Sequence, residues 1–406
     1  MDPDCALNEL SIPIRLFLIF QNLNAVERFH LVIPIALCSD RSPGIKMKNF
    51  NFLLFLAVVS MPAVGEPLLR SWFTDLSGRY ARIYPDNRAM VTGASITTWS
   101  RGQGNQLEPA YAGVTEISST ATDVYIRTSN LGFHVMGPWY TENGNLFPNY
   151  PANRAEIYRF PRSPLIPASK TPTGLGVIGY MVDGIALFDS RDAFSYDTSE
   201  EVDDGPRAPA QVRGDGVWNR DAYVNEGVTF DRALAHQAGS NHHYHANAPA
   251  IRHLLGDSVD YDLSTNSYAE NPTGEHSPII GWLRDGLPLY GPYGYSSPMR
   301  PDSGIRRMIS GYQRRDGSNG STDLADISGN LPSGIPTGRT SLPGWVSRNS
   351  GRNVTLSAAN YGPPASPAFP IGHYLEDYAY KGDLGFSVYD GGEDFDPDRF
   401  HDLNEY

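Results

Sequence analysis

The chain has 406 residues, which is enough for one large domain or two of ordinary size. Charged residues make up 19% and aromatic residues 11% of it, a composition that excludes wholesale disorder and allows a sizeable core. The formal net charge is −13, and no local cluster of Lys and Arg compensates for it. Nucleic acid is therefore not expected as a partner, because it requires a basic binding face.

The N-terminal part differs from the rest. Residues 1–46 contain both cysteines, Cys5 and Cys38. After Met47 comes a short basic start, an apolar stretch at 52–60 and the small-residue ending Ala63-Val64-Gly65, a pattern typical of a secretory signal peptide. A buried apolar strand is the alternative, and the stretch is short for a membrane span.

We therefore expect residues 1–46 to be a mis-called upstream extension and residues 47–65 to be a signal peptide. The mature chain would begin near Glu66 and be secreted, periplasmic or extracellular. It would contain no cysteine and no integral membrane span, so packing must stabilise it without disulfides.

Short aromatic and β-branched runs, separated by many of the 40 Gly and 32 Pro, predict many strands and few long helices. Runs at 79–84, 124–127 and 156–160 alternate apolar and polar residues. We expect a mainly β fold of loop-rich antiparallel sheets, sandwich-like or barrel-like, with a few short helices.

Two hairpins are predicted, one turning at Asp183-Gly184 and the other at Asp285-Gly286. Residues 249–255 are predicted to form a short helix, whose first turn tolerates proline. Residues 197–216 are acidic and Pro-rich, which predicts an exposed loop that is either a surface insertion or an internal domain boundary.

The motif His242-His243-Tyr244-His245 is the most informative segment, and His236 precedes it by six positions. In a strand, His243 and His245 point to one face while His242 and Tyr244 point to the other. Two imidazoles so placed can share one metal ion, with further ligands from elsewhere in the fold. The alternative is a half-buried strand whose histidines only pack and hydrogen-bond.

The chain resembles the YHYH-domain family, found mainly in exported bacterial proteins. The matching segments lie at residues 176–189, 231–246, 276–282, 285–295 and 375–378. The resemblance implies one YHYH-like domain over residues 66–406, but it implies no particular activity. His242 stands where the family has its first tyrosine. The family pattern continues beyond Tyr406, so we expect this chain to be truncated at its C-terminus.

Within this resemblance, four histidines are candidate metal ligands, and imidazole favours Zn or Cu: His236, His243, His245 and His276. Glu376 and Asp285 are candidate catalytic carboxylates, and His242, Tyr244 and Asp377 are further motif residues. Asp285 has an alternative role as a turn residue, and His276 has one as a cap or turn residue.

Three functions stay open. The first is a metal-dependent hydrolase or oxidase. The second is a non-catalytic extracellular module that binds metal, a small molecule or a glycan. The third is a structural module whose histidines form a polar core. Whether it is an enzyme is not decided by the sequence.

Overall fold

The computed structural model describes residues 7–13, 30–36, 66–74, 78–164, 174–204, 214–297, 300–308, 312–314, 339, 342 and 356–380. The expected signal peptide at 47–65 lies outside these residues. The chain divides into two compact units, residues 1–61 and 62–406. In the first unit, β1 (Leu7–Pro13) pairs antiparallel with β2 (His30–Ala36).

The second unit is built from short strands. Its N-terminal part contains β3 (Arg82–Ile83), β4 (Trp99–Arg101), β5 (Gly104–Gln106), β6 (Val114–Ser119), β7 (Asp123–Thr128), β8 (Val135–Met136) and β9 (Glu156–Pro161). The following strands are β10 (Val177–Met181), β11 (Ala186–Phe188), β12 (Arg191–Asp197), β13 (Val202–Asp203), β14 (Asn219–Asp221), β15 (Ala235–Ala238) and β16 (Asn241–Tyr244). The remaining strands are β17 (Val259–Asp262), β18 (Ser267–Glu270), β19 (Ile279–Leu283), β20 (Pro288–Tyr290), β21 (Tyr293–Tyr295), β22 (Ile305–Arg307), β23 (Tyr312–Arg314) and β24 (Tyr378–Tyr380).

The helices are all short. They are α1 (Pro67–Arg70), α2 (Asn87–Thr92), α3 (Ala222–Glu226) and α4 (Pro249–Leu254), with 3₁₀ turns at Gly227–Thr229, Ala358–Asn360 and Leu375–Asp377. The prediction of a mainly β fold with several antiparallel sheets and a few short helices is confirmed. Across the described part of the chain, no sheet closes into a barrel, and no helix there is long and apolar enough to cross a membrane.

A six-stranded sheet carries the histidine motif, in the order β15-β16-β11-β10-β19-β20. Both predicted Asp-Gly hairpins belong to it, as β10–β11 and β19–β20. Gly184 and Gly286 adopt φ of +81° and +84°, which glycine tolerates at such turns. Only the β11–β16 pair is parallel within this sheet, and it places Ala186 opposite His243.

Apolar packing holds this sheet against α4, which is the helix predicted at 249–255. Tyr244 is fully buried in a cluster with Val182, Ile185 and Ile251. A second cluster, which includes Leu131, Met136 and Trp139, lies beside it and is built from residues of the N-terminal part. Burial of these large side chains is the main stabilising contribution to the region.

The acidic stretch at 197–216 is only partly described. Val202–Asp203 forms β13, which pairs antiparallel with the end of β12, so part of the expected loop is strand. Residues 205–213 lie outside the described residues. Beyond β13, β14 pairs with the other edge of β12 and leads directly into α3. This connection brings the end of α3 to the histidine motif.

Candidate metal centre

A tight hairpin positions the histidines. Strands β15 and β16 are joined across Gly239-Ser240, and their register places His236 opposite His243 and Gln237 opposite His242. Residues directly opposite on antiparallel strands share one face of the sheet. His236 therefore lies on the face of His243 and His245, and His242 lies on the other face.

We name the group His236, His243 and His245 the three-histidine cluster. One ring nitrogen from each lies within 4.8 Å of the other two, and Nε2 of His243 is 3.1 Å from Nε2 of His245. His236 is 5% exposed and His243 is 2% exposed, and the His245 side chain is 4% exposed. The cluster is thus almost entirely removed from bulk water.

The opposite nitrogen of each ring is held by a protein oxygen. Nδ1 of His243 donates to the Asn241 carbonyl at 2.9 Å, and Nδ1 of His245 donates to the Asp189 carbonyl at 2.8 Å. Because a carbonyl oxygen only accepts, the proton of each neutral ring must be on Nδ1. Their Nε2 atoms then carry lone pairs.

His236 is fixed in the same way by a hydroxyl. Its Nδ1 lies 2.7 Å from Oγ1 of Thr229, and that hydroxyl donates its own proton to the Glu226 carbonyl at 2.7 Å. Thr229 can therefore only accept from the imidazole. All three rings consequently present an unprotonated Nε2, which is the form that binds metal.

Burial keeps these rings neutral. It lowers the pKa of His243 to about 3, with the neighbouring His245 as a second cause. Burial, and then the surrounding histidines, lowers the pKa of His236 well below its ordinary value. The cluster therefore cannot easily relieve the repulsion between its lone pairs by taking up protons.

A carboxylate completes the group. Oε2 of Glu226 lies 3.3 Å from Nε2 of His245 and 3.5 Å from Nε2 of His236. Glu226 is the last residue of α3, whose N-cap Asp221 accepts from the N–H groups of Tyr223 and Val224. Its side chain is 27% exposed, so it forms the more open side of the site. No pattern in the sequence predicts Glu226 as a site residue, because its position depends on how β14 and α3 are placed in the fold.

Aromatic rings enclose the cluster. Phe188 stacks on His243 with ring centroids 3.9 Å apart. Phe230 contacts the edge of His236 at 4.8 Å. These contacts fix the orientation of both imidazoles and exclude water from their faces.

The other motif residues lie on the opposite face of β16. Tyr244 is fully buried, and burial, followed by the nearby Asp183 carboxyl, raises its pKa well above the ordinary value. His242 is also fully buried and packs edge-on against Trp139 at 5.5 Å. Its ring is grouped with His134 and Asp231, which the sequence did not indicate as site residues.

A family model described as "YHYH protein" matches residues 157–386, more than half of the chain. The chain belongs to the YHYH family. The matched segment contains the three-histidine cluster and Glu226. No curated protein matches this chain, and no solved structure matches it.

The structure places two other expected site residues of this YHYH protein outside the three-histidine cluster. His276 is exposed, and its Nδ1 bonds the Ser277 carbonyl at 2.7 Å beside the ring of Tyr295. Asp285 is exposed in the β19–β20 turn, where its carboxylate accepts from the Leu287 N–H at 3.4 Å. This is the turn role that was considered for Asp285 as the alternative.

Glu376 and Asp377 lie in a separate buried polar group. Glu376 accepts from both the backbone and the side chain of Asn219, at 2.7 and 2.8 Å. Burial raises its pKa to about 7, and the Asn219 hydrogen bonds oppose that rise. Asp377 forms a buried ion pair with Arg339, at 2.6 and 2.9 Å. These carboxylates connect the strands around Trp218 rather than joining the three-histidine cluster.

Proposed function

We propose that this protein binds a transition metal through Nε2 of His236, His243 and His245, with Glu226 as the fourth ligand. One observation carries the proposal: each of the three rings has its Nδ1 proton bound to a protein oxygen, so three Nε2 lone pairs converge. Metal-binding histidines are usually oriented by such hydrogen bonds from the other ring nitrogen.

The distances support an ion at the centre. Two ligands of a tetrahedral Zn²⁺ site with bonds of about 2.05 Å are separated by roughly 3.3 Å. The His243–His245 nitrogens are 3.1 Å apart, and Glu226 lies 3.3 and 3.5 Å from His245 and His236. Three imidazoles and one carboxylate suit Zn or Cu rather than Ca or Mg.

A polar core without metal is the competing function. It requires a hydrogen bond between His243 and His245, since their nitrogens are at hydrogen-bonding distance. One ring would then have to carry its proton on Nε2. Its Nδ1 lone pair would face a carbonyl oxygen, which is repulsive. Double protonation of His243 is disfavoured by burial, which lowers its pKa to about 3.

The position of Glu226 determines whether the proposed metal has an open coordination position. It is the most exposed member of the group, and a carboxylate that swings aside would open a coordination position for water or oxygen. A metal-dependent hydrolase or oxidase is the function consistent with that opening, with the displaced Glu226 as general base. A permanently four-coordinate site would instead favour a non-catalytic module that binds metal.

Export is the second part of the proposal, through a signal peptide at residues 47–65. Glu66 forms an ion pair with Arg162 and Leu68 is buried in the core, so the chain from Glu66 onwards is part of the folded unit, as cleavage before Glu66 requires. N-terminal sequencing of protein recovered from the periplasm or the medium should give a start near Glu66. Recovery only with residues 47–65 attached would contradict export by cleavage.

Thermal unfolding tests the metal site. Metal-free protein should gain several degrees in Tm with Zn²⁺ or Cu²⁺ and show little response to Mg²⁺ or Ca²⁺, because an ion that binds the folded state stabilises it. The gain should be smaller in the His243→Ala/His245→Ala variant. A Tm that is unchanged by Zn²⁺ and Cu²⁺, or an equal gain in Tm in both proteins, would contradict the proposal.

A further inference from the structure

A second group of ligand-type residues lies on the opposite face of β16. We name His134, Asp231 and His242 the opposite-face cluster. Each offers one ligand atom, and these atoms lie within 4.8 Å of one another. The residues are 7%, 6% and 0% exposed. They come from three separate parts of the chain: the segment before β8, the turn before β15, and β16 itself.

The two rings are not satisfied by protein partners. In the described part of the chain, Nδ1 and Nε2 of His134 have no hydrogen-bond partner. The nitrogens of His242 make no well-formed hydrogen bond either, although the backbone of His236 lies close enough to raise the pKa of His242 slightly against the effect of burial. A neutral imidazole carries one N–H and one lone pair, and burying both without partners is unfavourable. Buried polar groups left unpaired in this way point to a bound ion or water.

Asp231 is oriented by backbone donors, and burial raises the pKa of its carboxyl to about 6 while these hydrogen bonds oppose the rise. Its Oδ2 accepts from the Gly137 N–H at 2.6 Å, and its Oδ1 accepts from Ala233 and Ala235 at 2.9 and 3.2 Å. Each carboxylate oxygen has more than one acceptor site, so a lone pair remains for a cation. Three backbone donors orient it before any ligand binds.

The backbone leaves room for the His134 ring. A Cβ on Gly132 would lie 2.7 and 2.8 Å from two atoms of that ring, so any larger residue would displace it. The charges nearby are Asp231 and the cation Arg82, which acts on His134. Burial first, and Arg82 second, lower the pKa of His134 to about 4.

We propose that His134, Asp231 and His242 form a second, structural metal site that takes a Zn²⁺-class ion. Ligands at about 2.0–2.2 Å from one tetrahedral ion lie roughly 3.3–3.6 Å apart. The three ligand atoms lie within 4.8 Å of one another, so they need to close by no more than about 1.5 Å. The surroundings are apolar, with Leu131, Met136 and Trp139 fully buried nearby. An ion held by all three residues would cross-link three separate segments of the chain.

The two sites are independent. His242 and His243 are consecutive residues of one strand, so their rings point to opposite faces and serve different ions. His134 also lies outside the residues that the family model matches. The opposite-face site can therefore exist even if the three-histidine cluster binds nothing.

Cobalt stoichiometry tests the second site. Metal-free full chain is titrated with Co²⁺, whose visible absorption reports tetrahedral coordination, and the equivalents bound are counted. Wild type should bind two equivalents and His243→Ala/His245→Ala should retain one, since the opposite-face cluster is untouched. Wild type with a single equivalent that this variant loses would overturn the proposal.

The complementary variant is His134→Ala/His242→Ala. It should lose one equivalent and keep the one held by the three-histidine cluster, while its circular dichroism spectrum stays unchanged. If this variant fails to fold, the number of cobalt equivalents retained by His243→Ala/His245→Ala still decides whether the second site exists. One equivalent lost only in His134→Ala/His242→Ala would uphold the second site while refuting the proposed function.

Discussion

The hydroxyl of Thr229 accepts a hydrogen bond from Nδ1 of His236 at 2.7 Å while donating to the Glu226 carbonyl. This relationship fixes the tautomer of His236 without touching the proposed metal. It also couples the ring to the short segment that carries Glu226. The site is therefore held by the turn after α3 as much as by the hairpin.

Replacing Thr229 by valine tests that coupling. Thr229→Val keeps the shape of the side chain but removes the acceptor, so His236 is free to take the other tautomer. We expect the Zn²⁺ affinity to fall roughly 10–100-fold, the range found when partners of metal-bound histidines are lost. Thr229→Ser retains the hydroxyl and should bind nearly as tightly as wild type in a chelator competition. Equal affinities for the valine and serine variants would contradict the role of Thr229.

Glu226 is predicted to be a ligand rather than a bystander. Glu226→Gln should weaken Zn²⁺ binding by at least roughly tenfold, because a charged oxygen donor is replaced by a neutral one. Glu275→Gln is the matched control, since Glu275 is exposed and the change in net charge is the same. Competition titrations that give both variants the same affinity would exclude Glu226 from the site.

Glu376 is predicted to make stability depend on pH. Burial raises its pKa from the ordinary 4.5 to about 7, so its protonated form favours folding. That contribution is complete below pH 4.5 and is lost as the pH rises through 7, a change on the order of 3 kcal/mol.

The variant Glu376→Gln has no ionisable group at this position, so this pH dependence is absent from it. The difference in free energy of unfolding between variant and wild type should therefore shift in favour of the variant from pH 4 to pH 8, in urea titrations. A constant difference would contradict this.

Asp377 is predicted to stabilise the folded protein through its ion pair with Arg339. Asp377→Ala leaves Arg339 buried without its carboxylate, and removing one partner of such a pair costs about 3–5 kcal/mol. Asp285→Ala removes an exposed turn carboxylate and should cost less than about 1 kcal/mol. Urea unfolding compares the two. Equal losses would show that the buried ion pair is not the distinguishing feature.

The parts of the site that follow local rules could be predicted from sequence. Alternation along a strand places His243 and His245 on one face. The two Asp-Gly hairpins follow from turn chemistry in the same way. These features depend only on neighbouring residues. The turn at Gly239-Ser240, which brings His236 opposite His243, was not predicted and is seen only in the structure.

Long-range placement could not be predicted. Glu226 reaches the histidines only because β14 pairs with β12 and leads into α3. His134 meets His242 from a segment more than a hundred positions earlier. Conversely, His276 and Glu376 carry suitable side chains, but the fold places one at the surface and the other beside Asn219.

The metal content of the purified full chain is the most direct test of the three-histidine cluster. Elemental analysis should find a transition metal, Zn or Cu, in wild type, and one equivalent per chain fewer in His243→Ala/His245→Ala. Equal metal content in the two proteins, with both folded by circular dichroism, would contradict the account.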